Sequence, residues 1–245
     1  MPFRWGRNAD SRSPEHRSAT RLMNDTTQRV SWIANATAWT DAVRGGKIAS
    51  RRNGTDEAVI AAAQVEAGAR VLDVGCGEGW LSRALAAQGA TVLGVDASEP
   101  LIDAARRAGG ATFVVADYDT VRRNTTVAVG PFDLVVCNFA LLDEQIVPLL
   151  RALFVRMAPS ARLIIQTVHP FIAAGEDGYQ DGWRVERFTA FGDGFSAPMP
   201  WFFRTFATWH RSIRDSGLTL YRLREPRGQD GAVLSLLLEC VKETA

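Results

Sequence analysis

The sequence predicts an α/β protein built on a doubly wound, mainly parallel sheet, and three observations carry that reading. Strand-like and helix-like segments alternate from Arg70 to Thr167, the order that places helices on both faces of parallel strands. Asp73, Asp96 and Asp117 each close a strand-like run, 23 and 21 residues apart. That regular period sets three carboxylates along the carboxyl edge of the sheet, where open α/β sheets bind ligands. A glycine-rich turn, Gly75-Cys76-Gly77-Glu78-Gly79, joins the first strand to the helix after it.

Taken in order, Trp32, Ala36, Trp39 and Val43 recur at helical spacing, and a second helix is expected over Asp56 to Gln64 with Thr55 as its cap. Arg70 to Val74 is the first strand. Glu78 to Gln88 is an amphipathic helix with Leu81, Ala84 and Leu85 inward, closed by Gly89 at a left-handed position. Thr91 to Val95 is the second strand. Ser98 then caps a helix with Glu99 and Pro100 in its first turn, ending at Gly109-Gly110. Strands follow at Thr112 to Val115 and Asp133 to Cys137, a helix at Asp143 to Met157 containing Pro148, and a fifth strand at Arg162 to Thr167.

Beyond Thr167 the alternation breaks. Residues 168–204 read as a long irregular insertion, followed by a helix at Thr205 to Asp215 and strands at Leu218 to Leu223 and Val233 to Cys240. The short polar link between those last two makes them antiparallel neighbours. Residues 1–22, with arginines among Ser, Asn and Pro, read as a floppy extension or an organellar transit peptide, and a single domain is expected over 23–245.

A chain of 245 residues with 47% hydrophobic and 22% charged content suits one soluble core. A formal net charge of +1 lacks the basic footprint of nucleic-acid and anionic-membrane binders, so neither partner is expected. No apolar run approaches the ~20 residues needed to span a bilayer. Cys76, Cys137 and Cys240 are far apart in or beside apolar runs, as reduced thiols of a cytoplasmic protein would be, and they offer neither a disulfide framework nor a metal site.

The glycine loop points to a nucleotide-like ligand. Its GxGxG spacing discriminates weakly, but its charges say more. A dinucleotide would set its pyrophosphate on the helix N-terminus, and Glu78 and Asp73 would repel it there. S-adenosylmethionine has no phosphate, carries a sulfonium cation, and has ribose hydroxyls that Asp96 can hold. A nicotinamide-dependent oxidoreductase is the competing enzyme class, and a non-catalytic binding protein the third reading.

The segments VLDVGCGEGW, VLGVDAS, VVADYD, FDLVVCNFALLD and RLIIQTVHP resemble, in succession, the motifs of class I S-adenosylmethionine-dependent methyltransferases over Val71 to Pro170. The resemblance implies a Rossmann-like seven-stranded sheet with its last strand antiparallel. It implies Gly75, Cys76 and Gly77 against the methionine moiety, Asp96 with Ala97 at the ribose, Asp117 and Tyr118 at the adenine, and Asn138 along the methionine tail. Asp73 is expected to position the loop rather than to catalyse, and Asp117 has the alternative of stabilising a turn. The segment NATAWTDAVRGGKIASR resembles the lid helices of small-molecule members, which implies a helical lid over 23–66 with Trp39 and Arg51 as the closing pair and Arg51 meeting the cofactor's carboxylate. Trp39 could equally be core.

Methyl transfer from sulfonium is a displacement that alignment alone can accelerate, and a base is needed only for a protonated acceptor. His169, after the fifth strand, is the candidate base, with a structural hydrogen bond as its alternative. His210 is expected on a solvated face. Residues 171–209 hold 11 of the chain's 22 aromatic residues, which points to a cover over a flat apolar or aromatic acceptor, or else to a sheet cap or dimer contact. Arg184, Arg187 and Arg204 could pair with an acidic substituent. Asp143 and Glu144 are read as helix-capping rather than metal-binding. The loop CNFALLD lacks the signatures of DNA-methylating enzymes, protein acceptors stay open, and the chain is expected to be a monomer or homodimer.

Overall fold

The structure, a computed structural model, describes residues 26–123, 126–175 and 177–242; the expected extension over 1–22 lies outside them. Two helices open the described chain, α1 (26–34) and α2 (Ala36–Arg44), broken at Asn35 where a continuous helix was expected from Trp32. A π-helical turn at Arg51–Thr55 leads into α3 (Asp56–Ala63). Thr55 caps nothing: its backbone is already helical and its hydroxyl, fully buried, has no partner.

The alternating unit then follows as β1 (Arg70–Val74), α4 (Trp80–Ala87), β2 (Thr91–Asp96), α5 (Glu99–Ala108) and β3 (Thr112–Val115). It continues through α6 (Tyr118–Arg123), β4 (Phe132–Asn138), α7 (Val147–Arg156) and β5 (Met157–Thr167). α7 begins four residues later than the spacing predicts because Pro148 sits in its first turn, the position where a missing N–H is harmless.

The expected irregular insertion is not irregular throughout. A short helix α8 (Pro170–Ala173) precedes β6 (Gly182–Glu186) and β7 (Met199–Phe203), which pair antiparallel with Trp183 opposite Phe202. After α9 (Phe206–Asp215) come β8 (Leu218–Arg224) and β9 (Leu236–Lys242).

The main sheet has seven strands in the order β3-β2-β1-β4-β5-β9-β8. All neighbours are parallel except at β9, which runs antiparallel to both β5 and β8. Alternate side chains serve two cores, as strand pleating dictates. Leu134 and Val136 of β4 face the layer holding Val59, Leu81 and Leu85, while Val135 and Cys137 face the layer of Leu149, Leu153 and Trp209. Cys137 and Cys240 are packing groups in that second layer, both free. Among the described residues no helix is long and apolar enough to cross a membrane.

Candidate functional site

At the carboxyl edge of β1, β2 and β4 a cavity of about 590 Å³ opens. Asp73, Gly75, Cys76, Gly77, Asp96, Ala97, Asp117, Tyr118 and Asn138 all line it, and so do Trp39 and Arg51 from the N-terminal segment. The topology explains the convergence: β1 lies between β2 and β4, so three strand ends deliver their next residues to one crevice.

The loop after β1 turns through left-handed backbone at Gly75 (φ 73) and Gly77 (φ 56). A Cβ on Gly75 would stand 2.5 Å from that of Ala140, so only glycine lets the loop pass this close to the β4 end. Four of the loop's five amides are committed. Gly75 and Cys76 donate to the Val95 carbonyl at 2.8 and 3.1 Å, Gly79 donates to the Cys76 carbonyl, and Gly77 donates to the Asp96 carboxylate at 2.9 Å. Asp96 also accepts from the Ser98 amide at 2.8 Å, so it ties the glycine loop to the start of α5. Burial raises its carboxyl above the ordinary value in spite of those two amides.

Asp73 is 2% exposed and accepts from the Ser82 hydroxyl of α4 at 2.7 Å. Burial pushes its carboxyl up to about 7 and the neighbouring Asp96 charge adds to the rise, against the Ser82 hydrogen bond. Asp117 accepts from both the amide and the hydroxyl of Thr120, at 2.7 and 2.6 Å, and so forms the turn that starts α6. Burial works to raise this carboxyl, but the Thr120 contacts and the field of Arg29 outweigh it and hold it below its usual value. Tyr118 donates to the Ala140 carbonyl, and burial raises its phenol. Asn138 presents a buried carboxamide oxygen with no hydrogen-bond partner.

The surroundings of Glu78 and Arg51 bear on two expectations about charge. Glu78 does not face the cavity: it is 1% exposed and ion-paired at 2.8 Å to both Arg44 of α2 and Arg83 of α4. Its two ion pairs fasten α2 and α4 to the loop, so most of its charge is compensated before it reaches the site. Arg51 lines the cavity, yet its Nε and Nη2 already hold Asp56 at 3.0 Å and its guanidinium lies 4.3 Å from the Trp80 ring. A ligand carboxylate would have to share it with Asp56.

His169 is not brought to the site. Val168 and Pro170 line the cavity, but the His169 ring turns away, buried, with Nε2 3.0 Å from Glu225 beyond β8. The candidate base is thus a structural tie between α8 and the last hairpin. His210 is exposed. Asp143 accepts from the Glu144 amide at 2.6 Å, four residues short of α7 rather than at its cap. Of the three candidate arginines, Arg184 donates to the carbonyls of Ala173, Ala174 and Gly178 and stacks 3.7 Å from Phe203, which pins the insertion. Arg187 is exposed, and Arg204 alone of the three lines the cavity.

Over the crevice, the insertion and the first helices form one roof. Trp32 and Trp39 meet edge to face at 5.1 Å; Phe188 packs on Trp32, and Phe191 on Trp39, each at 5.8 Å. Asn35, fully buried at the α1/α2 break, binds both sides of the insertion's backbone. Its amide donates to the Ala197 carbonyl at 2.7 Å and its oxygen accepts from the Ser196 amide at 2.8 Å. Sequence reasoning missed this clasp because a lone Asn between two helical stretches looks like any solvated polar residue.

Comparison with known proteins agrees with this geometry. Residues 71–160 match a family model described as a methyltransferase domain. None of the curated proteins compared with the chain matches it. Among solved structures, an S-adenosylmethionine-dependent methyltransferase from Mesorhizobium loti is 24% identical with a TM-score of 0.58, covering 75% of this chain and 95% of its own. The magnesium protoporphyrin IX methyltransferase of Synechocystis PCC 6803, solved with bound SAH, is 20% identical with a TM-score of 0.61, covering 91% and 100%. A Haloferax volcanii methyltransferase solved in complex with the Trm112 activator is 17% identical with a TM-score of 0.65, covering 89% and 98%. Identities this low establish a shared fold.

Proposed function

We propose that this chain, which has the class I S-adenosylmethionine-dependent methyltransferase fold, binds S-adenosylmethionine at the rim of its sheet and transfers the methyl group to a small organic molecule beneath the aromatic roof. The observation that carries the reading is the meeting of Asp73, Asp96 and Asp117 with the unpartnered Asn138 oxygen around a glycine loop in which the amides of Gly75, Cys76, Gly77 and Gly79 are already bonded. Such a crevice offers acceptors and negative charge but few free donors, which suits a cationic ligand and not a pyrophosphate.

S-adenosylmethionine supplies a methyl group on a positively charged sulfur. In the proposed arrangement Asp96 and Ala97 hold the ribose, Asp117 and Tyr118 border the adenine, and Gly75, Cys76, Gly77 and Asn138 border the methionine part. Asp73 positions the loop through Ser82, and Trp39 and Arg51 close the entrance. With His169 turned away, the chain's contribution to the reaction is alignment of the acceptor and exclusion of water by the roof, which can account for much of the acceleration. The bound SAH of the Synechocystis neighbour supports the same cofactor here, and that neighbour's substrate is itself a small molecule. The three buried, free cysteines fit a reducing compartment such as the cytoplasm.

Calorimetry with S-adenosylhomocysteine and NAD tests the cofactor. Binding of the first and not the second is expected, and Asp96→Ala should weaken it at least about tenfold, the loss of a charge-assisted contact. Binding of NAD with exclusion of S-adenosylhomocysteine would overturn the reading. Incubation with methyl-labelled S-adenosylmethionine and a metabolite extract then identifies the acceptor by its label.

A further inference from the structure

Three arginines line the cavity among the described residues, and they differ in what already holds them. Arg51 is paired with Asp56 along its Nε/Nη2 edge, and Arg29 is exposed in the field of Asp117. Arg204, between β7 and α9, is 2% exposed. Its Nη1 donates to the carbonyls of Leu141 at 3.1 Å and Phe202 at 3.4 Å, which fixes the guanidinium in the wall. Its Nε and Nη2 have no hydrogen-bond partner.

The acidic groups whose fields reach Arg204 are engaged elsewhere. Asp143 holds the Glu144 amide, Asp181 holds the Thr205 amide and the Thr208 hydroxyl, Glu144 takes the Trp183 indole N–H, and the Tyr118 hydroxyl donates to the Ala140 carbonyl. Burial lowers the Arg204 guanidinium to about 10, so it stays charged at neutral pH. A buried cation with unsatisfied donors is expensive to maintain. That unpartnered edge, itself buried from solvent, is the one that accepts a carboxylate through two parallel hydrogen bonds, as Arg51 does with Asp56 elsewhere in the cavity lining. Beside it stand Phe202 and Trp209, with guanidinium-to-ring distances of 5.2 and 5.1 Å, and Trp201 and Phe203 line the same cavity.

We infer that the methyl acceptor is a planar aromatic carboxylic acid whose carboxylate docks on the Nε/Nη2 edge of Arg204 while its ring lies among the aromatic side chains of β7. The inference rests on the methyltransferase reading for the word acceptor, but the anion site is a property of the wall and is tested by binding.

The test uses the full chain saturated with S-adenosylhomocysteine and titrated with 2-naphthoate and, separately, with its uncharged isostere 2-naphthamide, followed by indole fluorescence. The acid is expected to bind at least about tenfold tighter, the usual worth of a charge-assisted pair. Arg204→Gln should abolish that preference with the affinity for S-adenosylhomocysteine unchanged within about twofold, and Arg204→Lys should retain part of it. Equal binding of acid and amide to the wild-type chain, or binding of neither, overturns the inference. So does a preference that survives in Arg204→Gln. Because the ratio is read first on the wild-type protein, a variant that fails to fold does not remove the test. If S-adenosylhomocysteine does not bind but the acid preference persists on the free chain, the cofactor reading falls and the anion site stands.

Discussion

Replacing Asp73 by Asn should flatten the pH dependence of stability, and the structure gives the size of the effect. The carboxyl is 2% exposed and pushed from 3.8 up to about 7 by burial and by Asp96. A folded-state value above the unfolded one means that the native protein holds this proton more tightly. The stabilisation is therefore fully present below the unfolded value of 3.8, and it is lost as pH rises through about 7. Between pH 5.5 and 8.5 the linkage relation gives a loss of about 2 kcal/mol from this one group.

Asn is nearly isosteric and its carboxamide oxygen can still accept from Ser82, so the variant removes the titration and little else. Urea denaturation of both chains without ligand, at half-unit steps over that window, reads the difference directly. The gap between wild type and Asp73→Asn should shift by about 2 kcal/mol in favour of the variant at the alkaline end. Parallel stability curves would refute the claim that a carboxyl at this position is held protonated by its surroundings.

Asn35→Ala should cost about 2–3 kcal/mol in urea denaturation, since it strands the Ser196 and Ala197 backbone groups of the roof; a loss under 0.5 kcal/mol, the ordinary range for surface substitutions, would show that the clasp is dispensable. Gly75→Ala combines left-handed strain with a 2.5 Å approach to Ala140, worth roughly 1–3 kcal/mol, and calorimetry should find binding of S-adenosylhomocysteine weakened more than tenfold. His169→Gln should leave that affinity and the rate of labelled-methyl transfer within about twofold at every pH tested, because the ring faces Glu225 and not the cavity; a lost pH limb would restore it as a base.

The strands and the rim were legible because both rest on local pattern. Arg70–Val74 and Thr112–Val115 have the bounds their apolar runs imply, and a β-strand that ends in Asp before a glycine loop delivers that Asp to the rim wherever the sheet closes. What failed to show was set by partners distant in sequence. Glu78 has its sign in the sequence but not its direction, which Arg44, 34 residues away, decides. His169 is placed at the functional edge by β5, and its ring is drawn off by Glu225, 56 residues on. β6 and β7 carry strand-forming side chains, but the long connection between them hides the pairing that a two-residue turn would have announced. α6, six residues with one acidic and two basic side chains, has too little apolar periodicity to read.

Glu78, whose charge near the loop would disfavour a phosphate, is paired with Arg44 and Arg83, so selectivity against a phosphate must come from elsewhere. The loop itself supplies it. A pyrophosphate is held in a glycine-rich turn by free backbone N–H groups, and here the amides of Gly75, Cys76, Gly77 and Gly79 are all taken, one of them by the Asp96 carboxylate. Seating a dianion would mean breaking that contact and placing the phosphate against Asp73 and Asp96. A sulfonium compound meets the opposite situation. Burial raises both carboxyls in the free protein, so a cation arriving nearby stabilises their charged forms and should bind with release of a proton from Asp73 near neutral pH. Charge also divides the cavity. Its rim is acidic toward the proposed cofactor, and Arg204 in the wall is a buried cation whose unpartnered Nε and Nη2 call for the opposite sign. An acceptor with one anionic group would thereby be oriented by charge before the aromatic roof makes any contact with it.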